Sequence, residues 1–263
     1  MRTSLCFLLI PIVLFISCDR SKGYRTENAS ENLVHKLSDS TLNRIAKKNI
    51  LDSAYLKTVS LQNDSLKNEL LLEISYQYLK TGDSISFLNA NQVAREFSNQ
   101  IKDSSSLAAG QWDLAHFYHS HNREDSAYFY YNNAQKIYQD LGDEYKSARL
   151  LLNMAIIQKN IKDYTGSEVS TTNAITLLKP LKAYKQLYAA YNNLGIIFGE
   201  LEQYDKALEY FKIGVSYLEK SGKKNLYPSV WNNIGVVYRD SKNYRDALTY
   251  FQKALDFNSN IKE

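Results

Sequence analysis

The chain has 263 residues, of which 44% are hydrophobic and 23% are charged, and its formal net charge is +4. This composition predicts a globular protein with a substantial core, and only three prolines and ten glycines exclude a low-complexity or disordered body. The small and evenly mixed charge argues against a nucleic-acid-binding protein.

The chain opens with a short apolar segment. Arg2 is followed by an apolar run from Leu5 to Ile16. A membrane span needs roughly 20 residues, so this shorter run predicts a secretory signal peptide over residues 1–17 that is cleaved on export.

The cysteine at the end of that segment makes the prediction more specific. The sequence Phe15-Ile16-Ser17-Cys18 resembles the lipobox of bacterial lipoproteins, in which a small residue precedes the cysteine that receives the lipid. The resemblance implies lipidation at Cys18 and a protein of the bacterial cell envelope that is lipid-anchored and faces the periplasm. Two alternatives stay open: an ordinary signal peptide, or an uncleaved anchor with a chance cysteine. Cys6 lies within the signal peptide, so the mature chain is expected to have no disulfide.

Two irregular segments precede the regular part of the chain. Residues 18–40 are polar, with several serines, and predict a tether that carries the lipidated Cys18. Residues 41–67 have a patchy apolar pattern, which predicts an N-terminal capping helical element.

The rest of the chain, residues 68–263, repeats itself with a period of 40 residues. The sequence NNLGIIFGELEQYDKALEYF at residues 192–211 returns as NNIGVVYRDSKNYRDALTYF at residues 232–251. Carried through the chain, the same register gives five units, 68–107, 108–147, 148–187, 188–227 and 228–263.

Each unit carries the pattern of two amphipathic helices. In the last unit, apolar or small residues fall at helical spacing on two successive segments, namely Trp231, Ile234, Gly235 and Tyr238, then Ala247, Phe251 and Ala254. Short polar turns such as SKNYR separate the segments, and such turns permit only an antiparallel connection. The small residues predict a close approach between the two helices of a hairpin.

This order of large, small and aromatic residues resembles the tetratricopeptide repeat, although that family's unit is usually about 34 residues long. The resemblance implies an all-α fold, a right-handed superhelical solenoid of stacked helical hairpins whose first helices line a concave groove. It also implies a partner, because such grooves bind proteins or extended peptide segments. Arrays of this kind behind a similar leader resemble sensory or scaffold proteins of Bacteroidota-type bacteria.

Asparagines occupy groove positions in the last three units. The candidate peptide-binding residues among them are Asn153, Asn160, Asn192, Asn193, Asn232 and Asn233. An amide side chain both donates and accepts hydrogen bonds, so spaced amides suit the backbone of an extended peptide. Kinesin light chains, which are similar in having NNL at this repeat position and a long unit, imply the same mode of binding. The alternative is that these asparagines bind a neighbouring hairpin.

Other side chains on the predicted groove face, Trp112, His116 and Arg239, are expected to add selectivity. The sequence DLAHFYHSHN places Asp113, His116 and His119 three residues apart, and imidazole with carboxylate suits zinc. That spacing drifts around a helix of about 3.6 residues per turn, so a solvated polar face is favoured. We predict no metal and no other cofactor.

The sequence lacks the motifs of common enzymes. It has no Gly-rich phosphate loop, no G-x-S-x-G elbow, no H-E-x-x-H pair, and no mature thiol besides Cys18. The predicted function is therefore non-enzymatic binding of a protein or peptide by a scaffold of the cell envelope. The alternative is the extracytoplasmic sensor segment of a membrane signalling system, such as a histidine kinase or a tethered regulator. Because the chain stops in the second helix of the last unit, self-association through an uncapped C-terminal hairpin is a further expectation.

Overall fold

The computed structural model describes residues 31–260, with side chains described from residue 31 to residue 257. Within these limits every regular element is a helix, and none of these helices is long and apolar enough to cross a membrane. The prediction of an all-α fold is confirmed for this part of the chain. The signal peptide over residues 1–17 and Cys18 lie outside the described residues, so lipidation stays a prediction.

Twelve helices follow one another in residues 31–260. They are α1 (31–37), α2 (Arg44–Val59), α3 (Asp64–Thr81), α4 (Ser84–Gln100), α5 (Ser104–Ser120), α6 (Glu124–Asp140), α7 (Glu144–Asn160), α8 (Tyr164–Leu178), α9 (Tyr184–Glu200), α10 (Tyr204–Ser221), α11 (Tyr227–Asp240) and α12 (Tyr244–Asn260). A short 3-10 helix, Lys224–Leu226, precedes α11.

From α3 onward, each odd-numbered helix forms a hairpin with the helix that follows it, and each hairpin packs against the next. We call α3, α5, α7, α9 and α11 the first helices and their partners the second helices. Helix α2 lies within the segment 41–67 predicted as a cap, and it packs against α3. The bounds of the five units, their 40-residue period and the handedness of the array stay predictions.

The turns between helices are built alike along the whole array. A residue with positive φ recurs every 20 residues, at Gly82, Lys102, Asn122, Gly142, Lys162, Lys182, Glu202, Gly222 and Lys242. The next residue starts the following helix. Where that residue is aspartate, as at Asp103 and Asp143, its carboxylate accepts the backbone N–H three residues further on, at 3.0 and 2.9 Å. The left-handed residue ends one helix and the aspartate caps the next, so a very short turn suffices.

Glycines on the first helices make room for aromatic rings on the second helices. A Cβ atom at Gly195 would lie 2.6 Å from Cε1 of Phe211, and Gly235 has the same relation to Phe251. Phe211 is fully buried in the core between α9, α10 and α11. The repeated glycines are therefore required by ring packing inside each hairpin, and they carry no information about a ligand.

Candidate functional site

One side chain of every first helix stands at the same repeat position on the face away from the second helices. These residues, which we call the groove row, are Tyr76, His116, Ile156, Ile196 and Val236. His116 is exposed, Ile196 is partly buried, and the exposed fractions of Tyr76, Ile156 and Val236 are 42%, 40% and 36%. Single exposed apolar residues are ordinary on protein surfaces, but their recurrence along successive helices marks a surface suited to a partner.

Two adjoining cavities open on this face, toward the N-terminal end of the array. The larger, of about 600 Å³, lies between α3, α5 and α7, and its walls include Tyr76, Lys80, Trp112, His116 and Arg149. The smaller, of about 450 Å³, lies between α3 and α5. Tyr76 and Asp113 line both cavities, so these two side chains stand at their boundary.

Trp112, a predicted site residue, is fixed in the wall of the larger cavity by its neighbours. The guanidinium carbon Cζ of Arg149 lies 4.5 Å from the centre of the Trp112 ring and 5.8 Å from that of Tyr145. The indole also meets Tyr138 edge-on, with 6.2 Å between ring centres. A cation over an aromatic face is an attractive arrangement, so the exposed Arg149 is favoured in this position over Trp112.

Three of the predicted asparagines make contacts inside the protein. Asn193 is buried, and its Nδ2 donates to Oγ1 of Thr171 at 2.9 Å and to Oγ of Ser167 at 3.3 Å, both on α8. Asn233 is partly buried, and its Nδ2 donates to Oδ1 of Asn192 at 3.0 Å. These hydrogen bonds join neighbouring hairpins, as in the alternative that the sequence left open.

The remaining predicted residues of the C-terminal units stay accessible. Asn160 and Asn232 are exposed, and Asn153 is partly buried. Arg239 is exposed as well, and its Nε donates to Oδ1 of Asp240 at 2.7 Å. A ligand can reach these side chains, and their role in binding stays a prediction.

The histidines at the end of α5 are engaged locally. Nδ1 of His119 lies 2.8 Å from Oε2 of Glu124, and Nδ1 of His121 lies 2.8 Å from the carbonyl oxygen of Phe117. Among the residues that the structure describes, no three His, Cys, Asp or Glu side chains are grouped as a metal site requires.

Asp113 differs from the other polar residues of this face because its charge is not compensated. The residue is partly buried, and its side chain lies at the boundary of the two cavities. Burial, and second the negative charge of Glu73, raise the pKa of the Asp113 carboxyl to about 7. In the sequence, Asp113 is indicated only as a candidate zinc ligand or as part of a solvated polar face. The signal that marks it otherwise is its repeat position, where the later units have Asn153, Asn193 and Asn233.

Comparison with protein families supports the resemblance that the sequence indicated. Residues 186–260 match the family model of the tetratricopeptide repeat. No sequence among the curated proteins matches the chain.

Solved structures share the fold at low sequence identity. BtubC (BKLC) from P. vanneervenii is 18% identical with a TM-score of 0.67, and the match covers 91% of this chain and 92% of that one. Aspartyl phosphate phosphatase F from Bacillus subtilis is 16% identical with a TM-score of 0.64, covering 89% and 68%. A Signal Transduction ATPase with Numerous Domains that has a tetratricopeptide repeat sensor, from Pyrococcus horikoshii, is 15% identical with a TM-score of 0.75, covering 93% and 37%. At such identities the likeness shows the fold alone, a tandem array of helical hairpins.

Proposed function

We propose that the chain is a non-enzymatic scaffold that binds a protein or an extended peptide segment along the face of its first helices. The observation that carries this proposal is the larger cavity, where side chains from three successive first helices surround about 600 Å³. Tyr76, Trp112 and Arg149 belong to the residue types that dominate the binding energy of protein interfaces. A partner segment that crosses the first helices would place one of its side chains in this cavity.

The contact between Arg149 and Trp112 in the wall of the larger cavity supports the same proposal. A side chain that is already fixed loses little conformational entropy when a partner arrives, and this favours affinity. The attraction between the Arg149 guanidinium and the Trp112 ring restricts Arg149 in this sense. Toward the other end of the array, the groove row and the exposed amides of Asn160 and Asn232 offer apolar and polar contacts to the rest of the segment.

A peptide array tests the proposed function. The purified full chain is incubated with random hexapeptides that are acetylated at the N-terminus and amidated at the C-terminus, and the affinity of positive peptides is measured in solution. We expect Trp112→Ala to weaken binding by about tenfold or more, because the variant loses the aromatic wall and the stack that orders Arg149. The control Ile85→Ala removes an exposed apolar side chain of α4, away from the groove row, and should bind like the wild type. Equal affinities of the wild type and Trp112→Ala would contradict the proposal.

We further propose that the protein is lipid-anchored in the bacterial cell envelope and faces the periplasm. The support is the apolar segment before Cys18 and the likeness of residues 15–18 to a lipobox. Metabolic labelling with a palmitate analogue should label the wild type and Cys6→Ser, because Cys6 lies within the signal peptide. Cys18→Ser should carry no label. Labelled Cys18→Ser would exclude this anchor.

The alternative role, a sensor segment of a membrane signalling system, would use the same face. The similar protein from Pyrococcus horikoshii is described as having a tetratricopeptide repeat sensor, which motivates the comparison. A scaffold keeps its hairpin packing when it is occupied, whereas a sensor must change state. Amide hydrogen exchange with a selected peptide separates the two roles. Protection confined to α3, α5 and α7 favours the scaffold, and altered exchange in α9 to α12 favours the sensor.

A different surface favours self-association as an additional property. Tyr244 and Leu248 on α12 have exposed fractions of 65% and 68%. Their counterparts 40 residues earlier (244 − 40 = 204 and 248 − 40 = 208), Tyr204 and Leu208 on α10, pack against the core that α10 shares with α11. Helix α12 packs against α11, and this face of α12 is exposed. We propose that a second copy of the chain covers it.

The charges of α12 fit a second α12 in antiparallel orientation. Arg245 and Asp256 are exposed and stand 11 residues apart, about three helical turns, so they lie on one flank of the helix. A two-fold antiparallel pair would bring Arg245 of each copy beside Asp256 of the other. In sedimentation experiments we expect a dimer for the wild type and monomers for Leu248→Lys and Arg245→Asp. The double variant with Arg245→Asp and Asp256→Arg should recover the dimer, and a monomeric wild type would exclude this proposal.

A further inference from the structure

A second line of side chains, three residues before the groove row, changes its chemistry along the array. These residues, which we call the polar row, are Glu73, Asp113, Asn153, Asn193 and Asn233. Asn193 is satisfied by two hydroxyl groups of α8, those of Ser167 and Thr171. Asp113 stands 80 residues before Asn193 (193 − 80 = 113), so the helix that corresponds to α8 in its surroundings is α4. The corresponding residues of α4 are Phe87 and Asn91 (167 − 80 = 87 and 171 − 80 = 91).

Neither residue of α4 can serve the Asp113 carboxylate. Phe87 is apolar and fully buried. Nδ2 of Asn91 already donates to the carbonyl oxygen of Gly110 at 2.9 Å, and its Oδ1 accepts from Nε of Arg95 at 2.8 Å. The repeat position whose side chain is hydrogen-bonded at Asn193 therefore has no internal partner at Asp113, whose side chain makes no hydrogen bond and no ion pair with the side chains of residues 31–257. Burial disfavours the charged form of this carboxyl, and a cation brought by a ligand would stabilise it.

The smaller cavity beside Asp113 is suited to such a cation. Its walls are Ser65, Glu69, Leu72, Glu73, Tyr76, Asp103, Ser106 and Asp113, which include four carboxylates and no basic group. The other three carboxylates are engaged within the protein: Glu73 accepts from Nε2 of Gln77 at 2.6 Å, Asp103 accepts from Nδ2 of Asn68 at 2.9 Å, and Glu69 also has a partner. Two nearby cations line the larger cavity, where Lys80 lies over Tyr76 and Arg149 lies over Trp112. A third, Arg95 on α4, donates through its Nε to Oδ1 of Asn91.

We propose that the smaller cavity accepts the cationic side chain of a lysine or arginine from the bound segment, with the Asp113 carboxylate as the acceptor of its N–H groups. Leu72 and Tyr76 line the same cavity and would pack against the methylene stem, as long basic side chains commonly require. This inference rests on the proposed function and specifies which residue type the groove selects. A bare metal ion is not favoured, because no three of the described His, Cys, Asp and Glu side chains are grouped so that they could hold one.

Binding of the cation is expected to depend on pH through Asp113. Below a pKa of about 7 the carboxyl of the empty cavity is largely protonated, and it must ionise to form the ion pair. Affinity for a basic peptide should therefore rise by up to about tenfold per pH unit as the pH approaches about 7, and level off above it.

Other charged or titratable groups from the surrounding helices belong to the same environment. They are Glu69, Glu73 and Lys80 on α3, Arg95 on α4, Asp103 at the start of α5, His116 on α5 itself, Tyr131 and Tyr138 on α6, and Arg149 on α7. The pH dependence must for this reason be compared with that of a variant that lacks only the Asp113 charge.

The experiment uses basic peptides from the array of blocked hexapeptides and their copies in which norleucine replaces the lysine. Norleucine keeps the stem and removes the charge. At about pH 8 the wild type should bind the lysine peptide at least about tenfold more tightly than the norleucine peptide. Asp113→Asn should bind both with the affinity that the wild type has for the norleucine peptide. The control Asp125→Asn, the same change at an exposed carboxylate of α6, should keep the wild-type preference.

Each alternative outcome has a distinct meaning. If lysine and norleucine peptides bind the wild type equally and both are weakened by Trp112→Ala, the groove binds peptides without a cation site, and this inference is wrong while the proposed function stands. If Asp113→Asn keeps the preference for lysine, the cation binds elsewhere and the inference is also wrong. If no peptide of the array binds, both the proposed function and the inference are contradicted.

Discussion

The two ends of the first-helix face use the same repeat positions in different ways. In the C-terminal half, on α9 and α11, the side-chain amides donate to neighbouring hairpins. Asn193 donates to Thr171 and Ser167, and Asn233 donates to Asn192. In the N-terminal half, on α3 and α5, the same row has carboxylates, and the surface opens into two cavities. The regular half is the part that matches the tetratricopeptide repeat family model, from residue 186 to residue 260.

This difference shows how to interpret residues that recur at one position of a repeat. A residue that recurs in neighbouring units and meets the same partner each time, as Gly195 and Gly235 each meet a phenylalanine ring, is explained by packing within the hairpins. A residue that departs from the pattern lacks that explanation. Asp113 is such a residue, and the cavities lie beside it. In this array, residues that depart from the repeat indicate the candidate site better than residues that recur in it.

The largest effect that tests the comparison should come from the close packing of the C-terminal half. A methyl group at Gly195 would lie 2.6 Å from the buried ring of Phe211, so Gly195→Ala should lower the free energy of unfolding by about 2–3 kcal/mol. The control is Gly199→Ala on the same helix, where the nearest neighbour is Cγ2 of Val237 at 3.3 Å. Urea unfolding measures both changes. Similar stabilities of the two variants would mean that the ring does not require the glycine.

The next effect separates packing asparagines from accessible ones. Asn193→Ala removes the donor to two buried hydroxyl groups and should cost about 1–3 kcal/mol of unfolding free energy. Asn232→Ala, at the exposed neighbour on α11, should change it by less than about 0.5 kcal/mol. Thermal and urea unfolding provide the measurement. A small effect at Asn193 together with a large one at Asn232 would reverse our division of the asparagines.

The third effect tests the unsatisfied carboxylate in the N-terminal half. The folded pKa of Asp113, about 7, is above the ordinary aspartate value of 3.8, so the folded state holds the proton more tightly than the unfolded state. The contribution of Asp113 to stability is then complete below about pH 4 and is lost as the pH rises through about 7. Asp113→Asn cannot lose a proton and should be more stable than the wild type by about 1–2 kcal/mol at about pH 8, with a smaller difference near pH 5. A difference that does not change with pH would show that Asp113 ionises normally.

The fold could be predicted from the sequence because its main signal is periodic. Apolar and small residues at helical spacing, returning in register, indicate helical hairpins in tandem without any knowledge of contacts. The turns were harder to predict in detail. Gly82, Gly142 and Gly222 indicate a left-handed residue, but Lys102 and Lys162 adopt the same conformation without any compositional signal.

The candidate site was predicted only in part, for a physical reason. The sequence indicates that Trp112 and His116 face the groove, and both line the larger cavity. It does not indicate that Asn193 finds Thr171 on the preceding hairpin, because that depends on which residues meet across two helices. Whether a polar side chain is hydrogen-bonded within the protein depends on the residue that faces it as well as on the side chain itself. The repeat position of one residue does not determine this.

The smallest effect concerns the turns, which should be interchangeable between the two halves. Gln203 starts α10 with φ −88° and ψ 64° and makes no side-chain cap, whereas Asp103 starts α5 with φ −87° and ψ 85° and accepts from the N–H of Ser106. Gln203→Asp should therefore form the missing cap and raise the free energy of unfolding by about 1 kcal/mol. The matched variant Gln203→Ala provides no acceptor and should leave stability nearly unchanged. Equal stabilities of these two variants would mean that the turns, like the polar row, differ between the halves, and the contrast would then extend beyond the groove to the whole architecture.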